Sequence, residues 1–186
     1  ALLHSSSTRT AGFHSTEVSS FGPPTQFATM LLMLIGAGPC STGGGMKVTS
    51  VLVLVMFAWS RFRGSSTASL FRRRISQISL QRAATTVLLF GTVAALGLLF
   101  LLLSENLSAA GASEATFLDA SFEVSSALGT VGLSTGVTPG LTGPSKVILM
   151  ILMLTGRLGP ISIYLALSRV EEKGHLSFPE EDVLIG

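Results

Sequence analysis

Charged side chains are what this sequence has least of. Asp, Glu, Lys and Arg make up 12% of its 186 residues, while 47% are hydrophobic. Soluble domains carry about 25% charged residues, so the shortage, with a mean hydropathy of +0.62, places the chain among membrane proteins. Cysteine is almost absent too. Cys40 stands alone, which excludes an internal disulfide and leaves the redox compartment unread. The three histidines, His4, His14 and His175, show no metal-ligand spacing, and no Ser/His/Asp or Cys/His set for nucleophilic catalysis is visible. An enzyme is therefore not expected. The chain also opens on Ala1 instead of an initiator methionine, without the charged and apolar stretches of a signal peptide. The opening ALLHSSSTRTAGFHST reads as the middle of something longer, so a fragment lacking its amino-terminal part is expected.

What is present is organised in long apolar runs. Residues 83–103 form an uncharged run of 21 residues, and about 20 suffice to cross a bilayer as a helix. Residues 147–168 form a second run, interrupted by Arg157. A third apolar region, 25–60, is too long for one crossing and is broken by GAGPCSTGGGMK at 36–47. Two half-helices, about 25–36 and 47–60, are expected around a stretch at membrane depth. Irregular backbone there is tolerated when it is buried in protein or lines a watery cavity, which points to a conduction path. Between Trp59 and Ala83 lie Arg61, Arg63, Arg72, Arg73, Arg74 and Arg82 with no acidic residue. Between Leu103 and Val124 lie Glu105, Glu114, Asp119 and Glu123 with no basic one. The positive-inside rule puts the arginine loop, 61–82, in the cytoplasm and the acidic segment outside. Those carboxylates read as a solvated face that attracts cations weakly. Because topology accounts for the arginines, a nucleic-acid partner is not expected.

An internal repeat runs at an offset of 120 residues. TAGFHST from Thr10 lies over TVGLSTG from Thr130, Pro24 falls on Pro144, and MLLMLIG from Met30 falls on MILMLTG from Met150. Repeats of this kind are common in transport proteins, with sites at the interface of the copies. The second copy reads as a complete span–loop–span unit. In it, 83–103 rises, 117–128 is a re-entrant pore helix too short to cross, 129–135 is the return loop, and 147–168 descends. The first copy holds the end of its pore helix, the loop 9–16 and the broken span 25–60. The expected fold is all-α and membrane-embedded.

Ion selection by a loop needs backbone carbonyls in place of the ion's water shell, and glycine permits the dihedrals that aim them. Thr130-Val131-Gly132-Leu133 matches the start of the potassium-channel filter TVGYG and departs from it at the tyrosine. Its placement after a pore-helix-sized segment between two spans, echoed by Thr10-Ala11-Gly12-Phe13, is what gives it weight. The glycine-rich stretch is not a phosphate-binding loop, because Lys47 is followed by Val48 where GxxxxGK[ST] needs a hydroxyl.

Together, RTAGFHST, PCSTGGGMK, GTVGLSTG and MLTGRLGP resemble the Trk/Ktr/HKT superfamily of potassium transporters, nearest to the membrane subunit of bacterial Ktr systems. The likeness covers nearly the whole chain, including the closing PEEDVLIG. It implies four span–loop–span units in pseudo-fourfold symmetry about one pore, of which this sequence supplies the end of the third and all of the fourth. It implies filter positions at Thr10, Ala11, Gly12 and Phe13 and at Thr130, Val131, Gly132 and Leu133, which would hold K+ by backbone carbonyls. In that superfamily, filter glycine goes with potassium, and serine in the first unit of some plant members goes with sodium. The first-unit position is not in this chain, so selectivity is half readable. The likeness further implies that 36–46 is an intramembrane gating loop, with Gly43, Gly44 and Gly45 free to change shape and Ser41 and Thr42 offering hydroxyls. Its implied partners are the lipid bilayer, a second identical subunit and a cytoplasmic nucleotide-binding regulatory ring. No cofactor is implied in the chain, K+ is the cargo, and Na+ as a coupling ion is left open. The implied location is the plasma membrane, multi-pass, with the tail 170–186 cytoplasmic.

Arg157 falls mid-span, where a charge costs about 2.5–3.5 kcal/mol on insertion scales, so it should face the bundle interior. Its repeat equivalent is Ala37. The resemblance has an arginine there contacting the gating loop, and Arg157 is expected to donate to carbonyls around 38–45 and hold the pore closed. Lys47 is expected to snorkel to the inner interface. The rival reading is a secondary transporter of a small solute, with the broken helix as its binding site. A second alternative is a non-conducting fragment. The placement of Thr130-Val131-Gly132 speaks against the solute transporter.

Overall fold

A computed structural model describes residues 2–14, 18–36, 38, 41, 43–63, 69–70, 73–107 and 116–159. The described part is mostly helical. Six α-helices follow in order: α1 (Leu2–Ser7), α2 (Pro23–Leu34), α3 (Val48–Phe62), α4 (Gln77–Leu107), α5 (Phe117–Gly129) and α6 (Gly143–Leu158). Two 3-10 turns stand at Val18–Ser20 and Thr138–Gly140. Where all-α was expected, a two-stranded antiparallel hairpin also occurs, β1 (Ser69–Leu70) with β2 (Arg73–Arg74). It lies inside the arginine loop, where no apolar pattern signals it.

Helix α4 is 31 residues long and is long and apolar enough to cross a membrane. It exceeds the apolar run 83–103 at both ends, because polar residues at a span's ends can stay helical in the headgroup region. Helices α2 and α6 both begin with proline near the first helical position, where its missing N–H costs nothing. Helix α5 starts behind Thr116, whose N–H donates to Asp119 Oδ2 at 3.2 Å, the return half of a capping box.

Helix α5 sits at the centre, in contact with α2, α4 and α6, while α3 packs on α4. Its last eight residues, 122–129, are all buried. One core joins Phe90 and Leu101 of α4, Val124 and Leu128 of α5, and Leu149 and Leu152 of α6. A second joins Met30 and Met33 of α2 to Phe122, Val131 and Leu133. In lipid, helix association relies on close packing through small residues. Here a Cβ at Gly129 would fall 2.7 Å from the Met33 carbonyl oxygen, and one at Gly97 2.7 Å from Leu152 Cδ2. At Gly156 it would collide with the Leu128 carbonyl oxygen. The outer faces of the helices remain apolar and exposed, for instance Leu96, Leu99 and Phe100 on α4 and Met150, Ile151 and Leu154 on α6. Such a surface suits lipid or further protein.

Candidate ion-conduction site

The loops that follow α1 and α5 share an unusual backbone. Among the described residues, Thr10 and Thr130 are the non-glycine residues with positive φ, at 68° and 53°. Gly12 and Gly132, two residues on, have φ of 69° and 89°. Left-handed threonine is strained, and it occurs here twice, at one sequence offset. The 3-10 turns and the starts of α2 and α6 keep that offset too.

The two loops lie against each other. A Cβ at Gly12 would fall 2.5 Å from the Val131 carbonyl oxygen and 3.9 Å from Gly132 Cα. Glycine is thus required at 12 for its φ and for the approach of a carbonyl. The N–H groups of Ala11 and Gly12 both donate to Ser7 O at 3.2 Å, and the Ser7 hydroxyl donates to the Phe13 carbonyl. In the other loop the Val131 N–H donates to Ser126 O at 3.0 Å. Val131 and Leu133 are buried and anchor their loop, whereas Ala11 and Phe13 are exposed.

The glycine-rich segment connects α2 to α3 and returns on itself. Gly36 N donates to Met46 O at 2.8 Å, and Met46 N donates to Leu34 O at 3.0 Å. Between them the chain reaches the base of the second filter-like loop, where Gly44 N donates to Thr130 Oγ1 at 3.1 Å. A Cβ at Gly44 would collide with that hydroxyl and fall 3.1 Å from the Gly129 carbonyl oxygen. Gly43 and Gly44 are buried, and Gly45 has φ of 79°. Ser41 is exposed and its hydroxyl accepts from Gly43 N, while Thr42 lies outside the described residues.

Lys47 folds back on this segment. Its ammonium donates to the carbonyl oxygens of Ser41 at 3.0 Å and Gly43 at 3.1 Å. The four-carbon stem gives it the reach to bridge these two carbonyls. Arg157 is exposed in the last turn of α6. Among the described residues, no hydrogen bond or ion pair joins it to the glycine-rich segment, and residues 37, 39, 40 and 42 lie outside that set.

The acidic residues are not a uniformly solvated face. Glu123, 6% exposed, accepts from the Ser134 hydroxyl at 2.5 Å, Thr135 N at 3.0 Å and the Thr138 hydroxyl at 2.7 Å. Glu105, at the end of α4, accepts from Thr142 N at 3.1 Å, the Thr142 hydroxyl at 2.9 Å and the Ser145 hydroxyl. It thereby places a carboxylate at the amino terminus of α6, where the helix dipole favours negative charge. Sequence reading missed both roles. The signal available was the Ser/Thr-rich stretch 134–145, which supplies the donors. His14 is exposed; Glu114 lies outside the described residues.

A cavity of about 620 Å³ opens beside this loop, lined among others by Glu123, Thr130, Gly132, Ser134, Leu149 and Met153.

The fold is that of a helical membrane transporter. The crystal structure of the potassium transporter TrkH from Vibrio parahaemolyticus matches with a TM-score of 0.68 at 22% identity, over 88% of this chain and 35% of that one. The chain belongs to the TrkH family of cation transport proteins, whose family model matches residues 1–177. Relatives include the Ktr system potassium uptake protein B of Vibrio alginolyticus, 34% identical over the whole chain. The protein of the same name from Bacillus subtilis is 34% identical over 96% of it. The potassium/sodium uptake protein NtpJ of Enterococcus hirae is 32% identical, also over 96%. The chain spans 39%, 38% and 39% of the lengths of these three relatives.

Proposed function

We propose that this chain contributes the end of one and the whole of another of the four units surrounding a potassium-conducting pore. Residues 1–60 are the end of a third span–loop–span unit and 83–169 a complete fourth. The carrying observation is the apposition of the two loops, with Gly12 packed on the Val131 carbonyl oxygen and both loops turned by a left-handed threonine and a positive-φ glycine. Backbone oxygens at Thr10–Phe13 and Thr130–Leu133 replace the hydration shell of K+, each pair of loops supplying part of the ring. The segment 36–46 is the gate beneath it. Its buried glycines and the Gly44–Thr130 hydrogen bond support that assignment, since a shift of the segment acts directly on the residue that begins the filter. Ser41, Thr42 and Arg157 belong to this gate, with Arg157 donating to carbonyls around 38–45 in the full-length protein and helping to hold the pore closed. The names of the relatives, potassium uptake and potassium/sodium uptake, support potassium as cargo. The arginine loop and the tail face the cytoplasm, and the assembly is a dimer of full-length subunits with a regulatory ring on that side. Measurement of 86Rb+ uptake in a potassium-uptake-deficient bacterial strain expressing the full-length protein tests the reading. Uptake competed by K+ and reduced by Gly132→Ser is expected; uptake insensitive to that change would overturn it.

A further inference from the structure

We propose that Glu123 is a positioning residue for ion selectivity, which fixes the outer limb of the second filter-like loop and sets the charge beside it. This rests on the pore reading above.

The argument starts from burial. Glu123 lies inside the protein, in the middle of α5, and carries no basic partner among the described residues. Its oxygens accept three hydrogen bonds, all from the segment that leaves the filter: Ser134 Oγ, Thr135 N and Thr138 Oγ1. Each of the three contacts brings a donor to a carboxylate oxygen. Ser134 also accepts from Gly136 N at 2.9 Å, so the turn from 134 to 138 is tied back to the pore helix through a single side chain. The filter strand 130–133 is therefore held at both ends. Helix α5 and Gly44 fix Thr130, and Glu123 fixes residue 134.

Charge follows from the same geometry. A buried anion without a counterion is costly, and ionisable groups at membrane depth mark ion pathways. Glu123 lines the same cavity as Thr130, Val131, Gly132 and Leu133. A cation held by the filter carbonyls lies beside this carboxylate, on the cavity the two share. The carboxylate then raises cation affinity by its charge and favours one ion size by fixing the strand.

The test uses the full-length protein in a potassium-uptake-deficient strain, with membrane abundance measured for every variant. Half-saturation for 86Rb+ and inhibition by Na+ are read for Glu123→Gln, Glu123→Asp and Asp119→Asn. The last removes an α5 cap acceptor and controls for mere helix weakening. Glu123→Gln is expected to raise half-saturation about tenfold and to lose most discrimination against Na+, with Glu123→Asp partly restoring both and Asp119→Asn leaving them unchanged. If Glu123→Gln is not recovered in the membrane, Ser134→Ala with Thr138→Val removes the two hydroxyl donors and is expected to reduce Na+ discrimination likewise. Wild-type half-saturation and Na+ discrimination in the informative variant would overturn the proposal while leaving the pore reading intact. Absence of Rb+ uptake by the wild-type protein would overturn both.

Discussion

Replacing Gly12 by alanine demands two concessions. The residue must hold φ of 69°, and the Val131 carbonyl oxygen must retreat from 2.5 Å. Left-handed backbone costs an L residue about 1–2 kcal/mol, and overpacking a fixed site about 1–3 kcal/mol more. Gly136 has φ of 93° but open space around it, so Gly136→Ala meets the first cost alone. Thermal unfolding of the two purified full-length variants should therefore rank Gly12→Ala as the less stable, with the larger loss of Rb+ uptake. Equal effects would mean that the loop apposition carries no weight. Lys47 gives a second prediction at this scale. Its two bonds to the Ser41 and Gly43 carbonyls involve a charged donor, worth about 1.5–3 kcal/mol each. Lys47→Met should loosen the segment and raise basal Rb+ flux about tenfold, the change expected for a shift of some 1.4 kcal/mol in a two-state gate. Unaltered flux would contradict a latch at that position.

Among the elements, close packing decides which glycines matter. Gly156 on α6 meets the Leu128 carbonyl of α5, whereas Gly91 on α4 has no neighbour within 4 Å. Gly156→Ala should separate α5 from α6 and lower the unfolding temperature. Gly91→Ala should raise it slightly, because glycine costs a helix about 0.5–1 kcal/mol relative to alanine. Much of this level was legible beforehand. Hydropathy and length mark a short helix at 117–128, where α5 runs Phe117–Gly129, and place a break between α2 and α3, since a run such as 25–60 cannot cross once and GAGPCSTGGGMK cannot stay helical. Helix α4 was underestimated because its polar ends, Gln77–Arg82 and Ser104–Leu107, carry helix without hydropathy. The hairpin at 69–74 rests on two paired residues per strand, too few for any period to register. At the site, threonine and glycine identities announced the loops, but the roles of Glu123, Glu105 and Lys47 depend on partners 4 to 40 residues away in sequence. Charge composition alone cannot reveal such pairings.

For the whole molecule, topology is the first claim open to test. In full-length protein with Cys40 replaced by serine, a cysteine at Ser76, before α4, should react only with membrane-permeant thiol reagents in intact cells. One at exposed Gly140 should react with impermeant reagents too. The reverse pattern would invert the orientation assigned from Arg61–Arg82. The central claim is that carbonyl oxygens around Gly12 and Gly132 jointly hold a dehydrated monovalent cation. The most direct measurement is anomalous diffraction from crystals of the full-length protein grown in Rb+. A rubidium peak is predicted on a common axis, coordinated by oxygens of residues 10–13 and 130–133 together. Rubidium bound elsewhere, with none shared by these two loops, would contradict the account.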